Sequence, residues 1–292
     1  MSDHLKGLLI TLLGVVLIVP DSLFVRLIDA PALTIAFWRS ALAGAALGLG
    51  VLVVQGPQAY RGLARFGPGL WLYIAATAIP GVLFVLAIKL TSVANVAFII
   101  AATPAFAALQ SWAFLSERPS RRMLWTMLAV AIGIGVIAFG SGQTDGASRI
   151  GDLAAIAIAF IFAASLTTAR KLRAASLVPA VPIAQALAAL VLLPFVSPFA
   201  VAPESWPLIA LHGGVFVAIS TALLATGPRY LPSSEVALLI LLESVFAPIL
   251  AWAVIGESAS VWALIGGGIV LGALAASNAI ALSRRSRSGA KP

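Results

Sequence analysis

Ten apolar stretches, each long enough to cross a lipid bilayer as a helix, take up almost all of this 292-residue chain. They run near 6–28, 32–54, 70–90, 93–115, 122–140, 151–171, 179–199, 205–228, 233–255 and 258–282. A hydrocarbon core of about 30 Å is spanned by roughly 20 residues of apolar helix. The connections between the stretches are mostly short. Little length is left for a soluble domain, so the chain reads as an all-α integral membrane protein of ten transmembrane helices that works inside the bilayer.

Composition then narrows the chemistry. Hydrophobic residues make up 61% of positions and charged ones 10%, with a mean hydropathy of +1.09. The chain contains no cysteine, so disulfides, thiolate metal sites and thiol catalysis are excluded. A net charge of +8 and a pI near 10.8 would point to nucleic acid in a soluble protein. Here basic residues gathering on cytoplasmic loops account for it, and no nucleic-acid partner is expected. Leu8 to Val19, behind Lys6, has the form of a signal-peptide core. Pro20, Asp21 and Ser22 follow it in place of a small-residue cleavage site, so it reads as a retained first helix.

The charges orient the spans. One side collects Lys6, Arg61, Arg65, Arg118, Arg121, Arg122, Arg170, Lys171, Arg173, Arg229, Arg284, Arg285, Arg287 and Lys291. The other side holds Arg26, Lys89 and Arg149, together with the acids Asp29, Asp145, Asp152, Glu204 and Glu257. Arg39 lies within a span. Fourteen basic residues against three predict that both termini are cytoplasmic, in a multi-pass cytoplasmic (inner) membrane protein.

The sequence is also internally duplicated. A shift of 140 residues aligns Val96/Val236, Phe106/Phe246, Trp112/Trp252, Glu117/Glu257 and Ser120/Ser260. The register extends upstream to Ala78/Ala218, Ile79/Ile219 and the basic pair Lys89/Arg229, then drifts to Gly7/Gly151 and Pro31/Pro179. Five spans per copy is an odd number, so the second copy enters the membrane upside down. The expected division is 1–140 and 141–292, two inverted repeats around a central cavity with the substrate site near the midplane. Duplication kept for packing alone is the competing explanation.

On these residues the chain resembles the EamA-type branch of the drug/metabolite transporter superfamily. The matching segments run from Ala101-Ala-Thr-Pro-Ala-Phe to Glu117 and from Leu241-Leu-Glu-Ser-Val-Phe-Ala-Pro to Gly256-Glu257, each followed by a Gly-rich span. Arg39 after Pro31 also fits the family pattern. The resemblance covers essentially the whole chain and is strongest to bacterial amino-acid exporters, the aromatic amino-acid exporters among them. It implies ten helices around a cavity and export of small metabolites. Leu187 stands where Arg39 would map in the second copy, so a role for that charge is not duplicated.

At about 1.5 Å per residue, Thr103 and Pro104 fall near the middle of the fourth span, and Glu243 and Ser244 near the middle of the ninth. Thr77 and His212 lie moderately off centre. Pro104 and Pro248 remove backbone hydrogen bonds and can expose carbonyls to a cavity. A charge at bilayer depth costs about 2.5–3.5 kcal/mol on insertion scales. Glu243 therefore reads as a functional group, or else as a buried neutral acid between helices. Arg39, roughly 10 Å inside the outer end, attracts a substrate carboxylate bidentately, snorkels to the interface or pairs with Asp21 as a clamp. His212 is a packing residue or a proton relay with Glu243. Phe98, with Trp38, Phe84 and Trp112, is placed to line an apolar pocket, to face lipid or to fill the core. Trp71, Tyr73, Trp206 and Trp262 read as interfacial anchors. Asn95 and Glu235 read as ordinary helix-start residues, and Glu117 and Glu257 as loop-pairing acids. Gly133, Gly135, Gly266, Gly267, Gly268 and Gly272 read as close helix contacts.

Other function classes lack their residues. A membrane enzyme needs a nucleophile with its base or a metal cluster, and the spans offer neither His-Glu-x-x-His nor cysteine. The short loops hold no selectivity filter. The expectation is a secondary transporter exporting amino acids or related small metabolites by alternating access, with a proton-coupled multidrug or cation exporter as the alternative. No cofactor is expected. The partners are a small-molecule substrate and the lipid bilayer, and the protein is a monomer or weak dimer.

Overall fold

The computed structural model of the chain describes residues 3–144, 146–172, 177–226, 230–231 and 233–289. Asp145, Arg173, Arg229 and Lys291, counted above for charge, lie outside the described residues, and with them the Lys89/Arg229 pair. Among the described residues, nine helices are long and apolar enough to cross a bilayer: Asp3–Leu27, Ala32–Gln55, Pro68–Leu90, Val93–Leu115, Arg121–Gly140, Arg149–Ala169, Pro203–Thr226, Leu238–Ile255 and Val261–Ala281. The seventh stretch is shorter than its 179–199 outline. It is Ala180–Phe195, because the Leu-Pro-Phe turn containing Pro194 tightens it into a 3₁₀ end. These ten segments are called spans 1 to 10 in chain order.

Three further spans depart from regular α-helix. Span 1 breaks at Pro20 into Asp3–Ile18 and Asp21–Leu27. Span 4 breaks at Ala101–Ala102, where Pro104 opens the second piece, Thr103–Leu115, near its N-terminus. Span 8 is π-helical over Ala210–Val217, a form that often accompanies functional positions in helices. Span 9 continues through Pro248 without a break. The chain thus keeps Pro in membrane helices where neighbouring helices can satisfy the freed carbonyls.

Helix ends repeat with the 140-residue shift. Ser120 and Ser260 both cap the helices that follow them, their Oγ accepting from Met123 N at 3.3 Å and Ala263 N at 3.0 Å. Just before, Ser116 and Gly256 both take left-handed backbone, at φ 56° and 71°. The Ser costs more there than the Gly, which has no Cβ to clash.

The packing repeats as well. Span 3 packs on span 6 as span 8 packs on span 1; span 2 meets span 8 as span 7 meets span 3; span 4 meets span 6 as span 9 meets span 1. Spans 2 and 7, 4 and 9, and 5 and 10 pair with their own counterparts. Exchanging the two copies therefore leaves the principal contacts unchanged. With five spans per copy, this is the pattern of two inverted repeats. Spans 5 and 10 touch backbone to backbone: a methyl on Gly266 would lie 2.5 Å from Gly133 O, and one on Gly133 2.7 Å from Gly266 O. Gly267 likewise admits the Phe98 ring. Gly135, Gly268 and Gly272 meet no neighbour within 4 Å, so the close-contact reading holds for half of that set and fails for the rest.

Candidate functional site

The first half of the site is a buried charge cluster in the half of the bundle that holds residues 28–31 and 196–202. Asp21 opens the second piece of span 1, Arg39 lies in span 2 and His212 in the π segment of span 8. Arg39 donates to both carboxylate oxygens of Asp21, Nε to Oδ1 at 3.0 Å and Nη2 to Oδ2 at 2.5 Å. His212 Nε2 hydrogen-bonds Asp21 Oδ1. All three side chains are buried, at 4%, 8% and 1% relative exposure, which makes any unpaired member costly. Phe24 stacks on the His212 ring with centroids 5.3 Å apart. Arg39 Cζ sits 5.5 Å from the centre of the Phe84 ring, a cation–π distance. Gly213 makes this assembly possible, because a methyl there would fall 2.9 Å from Arg39 O.

Of the sequence readings of Arg39, the structure shows the pairing with Asp21. The His212 ring is hydrogen-bonded to Asp21, which also holds Arg39. Glu243 and Ser244 lie in span 9, Glu243 half-buried and Ser244 buried. Glu243 is within electrostatic range of both Arg39 and Asp21. Thr103 stands at the break in span 4, its hydroxyl donating to Ile100 O at 2.6 Å, with Pro104 beside it. Thr77 donates to Tyr73 O one turn back along span 3, at 2.8 Å. Phe98 is buried in the core against Gly267.

A second polar cluster ties the copies together where span 6 begins. Asp152 accepts from Thr91 Oγ1 at 2.9 Å, Asn95 Nδ2 at 3.0 Å and Ser141 Oγ at 2.5 Å. Its place in the first turn of span 6 also suits a negative charge. Asn95 is thus more than the helix-start residue expected, since its amide reaches across to Ser141 at the end of span 5 and to Asp152. Ser92 is the cap, its Oγ accepting from Asn95 N at 3.1 Å. Arg26 joins this end to the second copy through Glu257, Nε to Oε2 at 2.8 Å, while Val93 N donates to Glu257 Oε1 at 2.6 Å. Arg26, Ser92 and Glu257 wall a cavity of about 340 Å³ at this end of the bundle.

The aromatics divide by environment. Trp38 donates Nε1–H to Pro198 O at 2.7 Å and packs edge-on against Trp206. Trp112 is 48% exposed, so it faces outward and lines no pocket. Trp206 and Trp262, read from sequence as interfacial anchors, pack against Trp38 and Phe139. Sequence reasoning did not single out Gly81 or Gln185, although a methyl on Gly81 would lie 3.1 Å from Arg39 Nη1 and 4.0 Å from Gln185 Oε1. Both look unremarkable in sequence because a glycine and a glutamine in apolar helices carry no periodic signal.

Comparison with known proteins places this geometry. No curated protein matches the chain. A solved structure titled "Crystal structure of protein" is 20% identical with a TM-score of 0.60, and the match covers 95% of this chain and 98% of that one, a likeness of fold. The family model described as "EamA-like transporter family" matches twice, over residues 5–139 and 149–279. With both copies matched, this multi-pass membrane protein belongs to the EamA-like transporter family.

Proposed function

We propose that this transporter exports amino acids or related small zwitterionic metabolites across the cytoplasmic membrane by alternating access. The two halves, divided near 140/141, rock about a site at mid-depth, and both termini lie in the cytoplasm. The observation that carries this reading is that both copies contribute a charged side chain of opposite sign to the bundle interior. Arg39 from the first and Glu243 from the second sit within electrostatic range in the bundle interior. A zwitterion's carboxylate and ammonium match that pair, and buried charges in membrane helices are retained where they act on a substrate or ion. Thr77, Phe98, Thr103, Pro104 and Ser244 complete the proposed path, supplying hydroxyls, carbonyls freed at Pro104 and an apolar wall.

One observation favours a cationic substrate instead. Asp21 already compensates Arg39, which leaves Glu243 as the acid in excess. A proton-coupled exporter of cations would use Glu243 alone. Efflux from proteoliposomes loaded with a neutral amino acid tests the coupling role. Wild-type efflux responds to an imposed pH gradient, and Glu243→Gln keeps the packing but loses that response. Unchanged efflux and unchanged pH response in the variant would reduce Glu243 to a structural residue.

A further inference from the structure

Span 9 is loosely packed, and polar bonds hold its end. Among the nine apolar helices of the described residues it is the least buried, with 17% of its apolar window inside the fold against 28–61% for the others. Its last turn is bare, since Trp252 to Gly256 are all exposed. Gly256 takes left-handed backbone at φ 71° and ends the helix. Glu257 follows directly, and its side chain is only 21% exposed.

Both carboxylate oxygens of Glu257 reach the first copy. Oε2 meets Arg26 Nε at 2.8 Å, at the end of span 1, and Oε1 accepts from Val93 N at 2.6 Å, the first amide of span 4. A helix N-terminus presents unpaired N–H groups and the positive end of the dipole, so it suits this carboxylate. Arg26 is held in turn, its Nη2 donating to Thr91 O at 2.9 Å. One acid of the second copy thus ties the end of span 9 to spans 1 and 4, which pack against that span. The pair also stays in touch with water. Arg26 is 22% exposed, and the cavity of about 340 Å³ lies beside both side chains. Water can take over each charge as the two separate, so the bond can part and re-form without stranding a charge in the apolar interior. The Arg39–Asp21 pair, at 8% and 5% exposure, has no such outlet.

We infer that the Arg26–Glu257 pair is the gate of the transporter at the end of the bundle away from the termini. Closed, it clamps the end of span 9 to spans 1 and 4. Parted, it frees that end and admits solvent and substrate to Glu243 and Ser244, which lie on the same helix about 20 Å from Glu257. Span 4, whose first amide Glu257 holds, carries Thr103 on the opposite wall of this path. The gate rests on the export reading above, in which this end is external and the pair controls release. It gives a role to Arg26 and Glu257 in the transport cycle while leaving the substrate site unchanged.

The accessibility of a cysteine at position 244 tests this without any substrate. In Ser244→Cys, which then holds the only cysteine of the chain, a membrane-impermeant thiol reagent added to intact cells should react slowly. Glu257→Gln and Arg26→Gln should each raise that rate about fivefold or more. The double variant should go no further than either alone, as expected for two members of one bond. Glu117→Gln, the repeat mate at the opposite end, should leave the rate unchanged. Rates within about twofold of the parent in both single variants, in intact cells and in inside-out vesicles alike, would overturn the gate, as would an equal rise in Glu117→Gln. Arg26→Cys with Glu257→Cys, joined by a short reducible bis-thiosulfonate reagent, should lose counterflow of L-phenylalanine and recover it on reduction. Joined protein that transports at the unjoined rate would also overturn the gate. If wild type carries no amino acid, the export reading falls, and the labelling still decides the gate.

Discussion

At the level of single residues, the central problem is how a positive charge is kept inside apolar helices. Arg39 is held by two bonds to Asp21, with the Phe84 ring close to its guanidinium carbon, and His212 completes the carboxylate. Removing one partner of such a pair leaves an uncompensated buried charge, at a cost of about 3–5 kcal/mol, whereas replacing both by apolar groups is close to neutral. Asp21→Asn should therefore lower the thermal stability of the purified protein sharply, and Asp21→Asn with Arg39→Met should recover most of it. If the single variant melts like wild type, the pair is no clamp. Arg39, Asp21 and Glu243 were legible as candidates, because charges in apolar runs are conspicuous. The bond of His212 to Asp21 was not legible, since Asp21 is 191 residues away from it and no local pattern links them. Asn95 and Asp152 are separated in the same way, 57 residues apart.

Among the elements, the spans themselves were legible from hydropathy, and their irregularities were partly so. Pro104 marks the break in span 4, while Pro248 in the matching helix leaves span 9 continuous. Proline frees a backbone carbonyl in both places, but the neighbouring residues decide whether the helix opens. The π segment of span 8 carries no proline and gave no warning; it coincides with the close approach of Gly213 to the backbone of Arg39. The glycines were legible as a class and not one by one, because periodicity cannot tell a helix face turned to a partner from one turned to lipid. That distinction is testable. Gly266→Val should disrupt the contact of spans 5 and 10, where a methyl would already lie 2.5 Å from Gly133 O. The expected loss of stability is about 1–3 kcal/mol, that of an overpacked core. Gly268→Val, facing open space, should change stability by less than about 0.5 kcal/mol. Equal melting temperatures for the two variants would contradict this packing of spans 5 and 10.

For the whole molecule, the duplication returns as two matched family units with a repeated pattern of span contacts, and the charge asymmetry is the ground for proposing cytoplasmic termini. Both features were readable because they are properties of many residues at once, and local errors average out over them. The pairing of spans was not readable, since apolar helices present similar surfaces to several neighbours. Reporter fusions at residues 145 and 290 should land on opposite sides of the membrane, with 290 in the cytoplasm; the same side for both would remove the inverted arrangement. The central claim, proposed above, is that this arrangement moves zwitterionic small molecules through a site between Arg39 and Glu243. Counterflow in proteoliposomes tests it most directly, with vesicles preloaded in turn with neutral, aromatic, basic and acidic amino acids and with quaternary ammonium compounds. Internal neutral or aromatic amino acids should accelerate uptake of labelled amino acid, while amines lacking a carboxylate should do so weakly. Acceleration by quaternary ammonium compounds with none by any amino acid would contradict the claim.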